Sequence, residues 1–202
     1  MEVSKIHLSA TEYQLMQNAD IILTKNSVLN KMKGMLEQVQ EKQMEFVSGF
    51  DLNSSPLFKV SPKISRGENY LGLPWLILDH PRLSGEEGLF FIRTMFWWGR
   101  FFSSTLHVSG IQKEKLVVPI SGSYKDLTAY SLGINEDPWA HHFDESNYRP
   151  VLSMDEKDFQ MQCRKVSHLK IASSLPLTKW QDAPAILFER WKFLLALGGS
   201  IA

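Results

Sequence analysis

With a single cysteine, Cys163, the chain can form no internal disulfide and build no Cys-rich zinc site. A reducing cytoplasm is the compartment that suits such a sequence. Net charge is lacking too. Across 202 residues, 22 Lys and Arg balance 22 Asp and Glu, without the basic surplus of a dedicated nucleic-acid binder. No apolar run approaches the roughly 20 residues of a membrane span. The opening M-E-V-S-K-I-H-L-S has no apolar core of signal-peptide length. The expectation is a soluble, cytoplasmic protein with no nucleic-acid and no membrane partner. Phosphate-cradling glycine motifs and the G-x-S-x-G elbow are also missing. Neither nucleotide use nor serine-type covalent catalysis therefore has a motif behind it.

The strongest positive signal is Leu89 to Gly110, the most aromatic part of the chain. Both halves are rich in aromatic and β-branched residues, as strands are. Trp98-Gly99 reads as a two-residue hairpin turn, since glycine accepts positive φ; a longer loop fits nearly as well. The two-residue turn pairs Phe96 with Phe101, Arg93 with Ser104 and Phe90 with His107. A slip of one residue would exchange the faces. In this register Arg93 sits among Phe91, Met95, Phe102 and Leu106, where a guanidinium must be paired or reach water. Asp79 is a candidate partner. The alternative is an anion-binding arginine in a pocket.

Helical signals flank this β region. Ser9 and Glu12 have the spacing of a capping box. Leu15, Met16, Ala19, Ile22 and Leu23 follow, then Val28, Leu29, Met32, Met35, Leu36 and Val39, stepping by three and four. A break is expected at Asn26-Ser27 and a stop at Ser48-Gly49. Leu57–Ile64 and Tyr70–Leu78 read as strands, with Ser65–Asn69 a turn between them and Asp79-His80-Pro81-Arg82 at a strand end. Residues 111–115 read as a loop or a short helical turn and Leu116–Ile120 as a short strand. Val166–Leu175 alternates as a strand should. A last helix starts near Asp182, turns Leu187, Trp191, Leu194 and Leu195 inward, and ends at Gly198-Gly199. The fold expected is a single α+β domain over residues 1–202. Residues 1–49 are helical, 57–175 mainly β, and 178–197 a C-terminal helix. The antiparallel, curved sheet is covered by the N-terminal amphipathic helices and the C-terminal helix.

Two functional classes fit. The first is a non-catalytic binding protein that holds a small molecule or protein partner in the sheet's concavity. Arg93 would be its polar anchor, with His107 and Trp139 in the site, and the N-terminal stripe would support a homodimer. The second is a metal-dependent enzyme. His142-Phe143-Asp144 is an H-x-D triplet, and on a strand both side chains would share one face. In this respect the chain resembles the iron- and 2-oxoglutarate-dependent oxygenases. The resemblance implies a divalent metal held by His142, Asp144 and the downstream His168. A basic residue such as Lys170, Lys179 or Arg190 would meet the cosubstrate carboxylate. That family places several strands between triplet and distal histidine, whereas the span here has room for about two. The first class leads because motifs for catalysis are missing.

Overall fold

Among the described residues, seven antiparallel strands form one open sheet in the order β1-β2-β3-β4-β7-β5-β6. They are β1 (Lys63–Tyr70), β2 (Leu73–Gly85), β3 (Gly88–Trp97), β4 (Phe101–Ser109), β5 (Ser131–Gly133), β6 (Tyr148–Pro150) and β7 (His168–Pro176). The helices are α1 (Ala10–Gln17), α2 (Ala19–Gly49), α3 (Gly110–Gly122), α4 (Glu156–Lys165) and α5 (Ala183–Leu197). This computed structural model describes residues 6–199. Residues 1–5 of the stretch without a leader's apolar core lie outside that range. No helix among the described residues is long and apolar enough to cross a membrane.

The N-terminal and C-terminal helices are where the patterning places them. Ser9 and Glu12 form the capping box. The chain breaks at Asn18, which caps Asp20, and not at Asn26-Ser27; those two residues ride on the exposed side of α2. Leu29, Met32, Met35, Leu36 and Val39 bury themselves against Leu76, Leu78, Phe96 and Phe102 of the sheet and Leu187 of α5. Trp191, Leu194 and Leu195 of α5 meet Phe90, Ile92, Leu106 and Val108 in the larger part of the core. The indole of Trp191 donates to the carbonyl of His80 and stacks on its ring, with centroids 5.7 Å apart and planes at 11°. The His80 ring also lies 3.2 Å from the side-chain oxygen of Gln43, so β2, α2 and α5 share one buried joint.

The hairpin departs from the two-residue turn. Trp98, Gly99 and Arg100 make a three-residue loop, with Gly99 at φ +68°. Trp97 pairs with Phe101, Phe96 with Phe102, Arg93 with Thr105 and Phe91 with His107. Tryptophan is a poor residue for a positive-φ turn position, and the longer loop lets glycine alone take that conformation. The shift of one residue exchanges every side chain of β4. Phe102, Ser104, Leu106 and Val108 face the helices, while Phe101, Ser103, Thr105 and His107 share a face with Arg93. β4 is the central strand and is buried along most of its length.

Three further segments differ from expectation. Residues 63–70, read as the end of one strand, a turn and the first residue of the next strand, are edge strand β1. β2 runs on through Asp79-His80-Pro81-Arg82. Pairing with β1 ends at Asp79 and the register with β3 shifts between Asp79 and Arg82, so Pro81 needs no ladder donor there. Leu116–Ile120 is helical, within α3, despite its β-branched residues. Burial of Leu116 and Ile120, one turn apart on one face, overrides the local β preference.

The β2–β3 turn abuts the start of α3. Gly88 has φ +115°, and a Cβ there would lie 2.2 Å from the carbonyl oxygen of Ser109. Gly88→Ala is expected to lower the unfolding free energy by about 3 kcal/mol, through strain and collision together. Gly85→Ala, where nothing lies within 4 Å, should change it by no more than about 0.5 kcal/mol. Urea denaturation of both variants checks this, and equal midpoints would refute it.

Candidate functional site

The sheet face without helices is polar at its centre and is crossed by the loop of residues 134–147. Three side chains tie that loop down. Arg93 stands across from Asp79 in the β2–β3 ladder. Its Nε and Nη2 donate to the two carboxylate oxygens at 2.7 and 2.8 Å. Its Nη1 donates to His141 Nε2 at 2.8 Å, which leaves the His141 proton on Nδ1. Burial, reinforced by Arg93 and Lys170, holds the His141 pKa well below the usual histidine range. The Tyr70 hydroxyl, at the end of β1, accepts the backbone N–H groups of His141 and His142 at 2.6 and 3.1 Å. It also lies 3.1 Å from His142 Nδ1, to which it can donate its own proton.

The third tie is Lys170 on β7, a fully buried lysine. Its Nζ donates to the Ala140 carbonyl at 2.8 Å and sits 5.1 Å from the centre of the Tyr148 ring. Burial lowers its pKa to about 8; Asp137 opposes the shift and Arg93 adds to it. The lysine stem runs past Gly133 of β5, where a Cβ would lie 2.9 Å from both Lys170 Cβ and Cε. Phe143 stacks on Tyr148 at 4.6 Å and meets Phe101 edge-on at 5.1 Å, which seals this end of the loop.

Beside the loop lies an open cleft of about 480 Å³. Tyr70, Trp75, Phe91 and Trp139 supply its aromatic walls. Its charged lining is Lys63, Arg82 and Arg93, against the one carboxylate of Asp79. The volume is within the range of small-molecule pockets. Trp139 is 45% exposed, and the Arg93 guanidinium carbon lies 5.6 Å from its ring.

Of the residues singled out in the sequence, Arg93 and Trp139 therefore meet at the cleft. His107 packs edge-on against Trp139 at 5.4 Å but is 3% exposed and is not part of the lining. Burial, with His168, Lys170 and Arg93 nearby, lowers its pKa to about 3. The H-x-D triplet lies in the loop, not on a strand, so the shared-face argument does not apply to it. His142 Nε2 is 4.0 Å from Asp144, whose side chain is 77% exposed. His168 neighbours His107, with ring centroids 5.6 Å apart. No group of three or more His, Cys, Asp or Glu that could hold a metal occurs among the described residues. Phe90 and Phe96 are buried in the core under the helices and do not line the cleft. Cys163 is buried and its thiol is pushed up to about 12, far from a nucleophile's range.

Sequence reasoning passed over Tyr70 and Lys63, and read Arg82 only as part of a charged strand end. Tyr70 was legible only as one more apolar strand residue, and its partners lie some 70 positions away. Lys170 did carry a signal, because the alternation of Val166–Leu175 puts it on one face with His168.

The buried imidazoles make stability depend on pH. His80 and His107 have folded pKa values lowered to about 4 and about 3, whereas an unfolded histidine titrates near 6.5. Stability is full above pH 6.5 and is lost as the pH falls towards the folded values, because only the unfolded chain takes up the protons. Between pH 7 and pH 5 the two groups together should cost about 4 kcal/mol. Urea titrations at both pH values measure this. His107→Gln should remove about 2 kcal/mol of the difference, and an unchanged difference would contradict the assignment.

No protein-family model matches this sequence, and no curated protein or solved structure matches it either.

Proposed function

We propose that this chain is a non-catalytic binding protein that holds a small molecule in the cleft between β1–β3 and the loop of residues 134–147. The observation that carries this reading is the cleft itself, an open concavity with four aromatic walls and a charged floor. It is built on strands and on a loop fixed by Arg93, Tyr70 and Lys170, so its shape is set before any ligand arrives. The neighbouring histidines are already engaged. His141 Nε2 accepts from Arg93, and His142 Nδ1 faces the Tyr70 hydroxyl, which favours binding over proton transfer. The buried, unpaired thiol of Cys163 suits a reducing compartment such as the cytoplasm.

The test is a fragment screen followed by NMR mapping on the indole N–H signals. Binders should shift Trp75 and Trp139, and Trp75→Leu should abolish their effect. A set of hits that leaves both signals unmoved would remove the cleft as the site.

A second copy of the chain is a further partner. The stripe from Val28 to Val39 is consumed inside the fold, so it is not available for dimerisation. The preceding turns are free to serve. α1 has no buried residue, and Leu15, Met16, Ile22 and Leu23 are 50, 65, 55 and 62% exposed. With Leu8 and Tyr13 the apolar area is on the order of what each partner of a standard interface buries, roughly 800 Å². The charged residues beside the stripe include Glu12 and Asp20, not the cluster of cations that would favour an anionic lipid surface. Light scattering at micromolar concentration should give twice the 23.2 kDa chain mass. Leu15→Glu with Leu23→Glu should return it to the monomer value; a monomeric wild-type chain would refute this interface.

A further inference from the structure

We infer that the ligand of this cleft is a small anion, a carboxylate or phosphate carried on a flat apolar body, with Lys63 and Arg82 as the residues that bind its charge. The inference rests on the cleft reading above and adds the chemical class.

It follows from how the charges around the cleft are spent. Lys63 lies directly across the β1–β2 ladder from Asp79, and Arg93 lies across from Asp79 on the other side. Arg93 takes both carboxylate oxygens. Lys63 is left with no ion pair among the described residues. Arg82 donates its Nε to the Ser61 carbonyl at 2.7 Å and likewise has no carboxylate partner among them. The pair Arg93–Asp79 is neutral, so the cleft keeps two uncompensated cations in a chain whose formal net charge is zero. Fully buried Lys170 adds a third positive charge beneath the same face. Neutral His141 does not offset any of them.

The remaining lining agrees with this class. Asn69 uses its side-chain oxygen to accept the Gly72 N–H at 2.9 Å, which leaves its NH₂ as a further donor at the cleft. Tyr70, Trp75, Phe91 and Trp139 offer ring faces and edges to a planar body. A guanidinium and an ammonium converging on one cleft recognise carboxylate and phosphate groups through charge-assisted hydrogen bonds. A neutral ligand would leave both cations partly desolvated with nothing to oppose them.

Three matched probes test the class: benzoate, phenyl phosphate and benzyl alcohol, titrated while the Trp75 and Trp139 indole signals are followed. Benzoate or phenyl phosphate should bind about tenfold more tightly than benzyl alcohol, and the tighter of the two names the head group. Raising the salt should weaken only the anions. Lys63→Gln with Arg82→Gln should lose about that factor for the anions and none for benzyl alcohol. Lys63→Gln alone, at an exposed position, should lose part of it and serves should the double variant fold poorly. Equal binding of all three probes, unaffected by the substitutions, would overturn the anion class while leaving the cleft as a binding site. If no probe moves either indole signal, the cleft reading fails and the anion class with it.

Discussion

Two long cationic side chains, Arg93 and Lys170, leave a sheet face on which they are largely or wholly removed from water. Neither can stay there without partners, because a buried charge that is not hydrogen-bonded is among the costliest features a fold can carry. Asp79 answers part of the need of Arg93. The remainder is met by the loop of residues 134–147, which brings His141 to Arg93 and the Ala140 carbonyl to Lys170. The loop's course is in this sense written by the sheet. Tyr70 completes the arrangement by receiving two adjacent backbone N–H groups from that loop. The positions of Trp139 and Phe143 follow, and with them one wall of the cleft.

The two faces of the sheet are therefore held by different physics. Under the helices the contact is apolar and non-directional, with Trp191, Phe90 and Leu36 among the fully buried side chains. On the opposite face a smaller apolar cluster of Ile77, Met95 and Trp97 lies beside directional contacts that hold the loop. Such networks tolerate little loss, since each deletion strands a partner without its bond. The same arithmetic bears on the metal reading. His107 and His168 lie beside Lys170, with Arg93 near His107 as well, and the field of those cations opposes a further positive charge there. An anion meets the opposite sign.

How far the sequence could be read follows from where each signal is stored. The C-terminal helix, the Ser9 cap and the α2 stripe were legible because capping and 3.6-residue periodicity are local. The Arg93–Asp79 pair was legible as a need, since a guanidinium in an apolar strand calls for a carboxylate. The hairpin register was not, because it depends on a single residue of loop length around Trp98 and Gly99. That one residue decides whether Arg93 neighbours Leu106 or Thr105. The cleft was beyond reach for a related reason: its lining comes from β1, β2, β3 and the loop, and β1 read mostly as a turn. α3 was hidden by its β-branched residues, because burial of Leu116 and Ile120, not propensity, sets the conformation.

Gly133 and Lys170 belong to different strands and are 37 positions apart, yet the lysine stem occupies the space a side chain at 133 would need. The two are bound in heredity as well as in space. A larger residue at 133 meets both the Cβ and the Cε of Lys170, so it needs a small shift between the strands as well as a shortened residue 170. A shortened residue 170 abandons the Ala140 carbonyl and loosens the loop. Either first step is a loss, so the pair should pass between descendants unchanged or change only together, and a co-varying 133–170 pair would mark the branches in which the loop has taken up a different path.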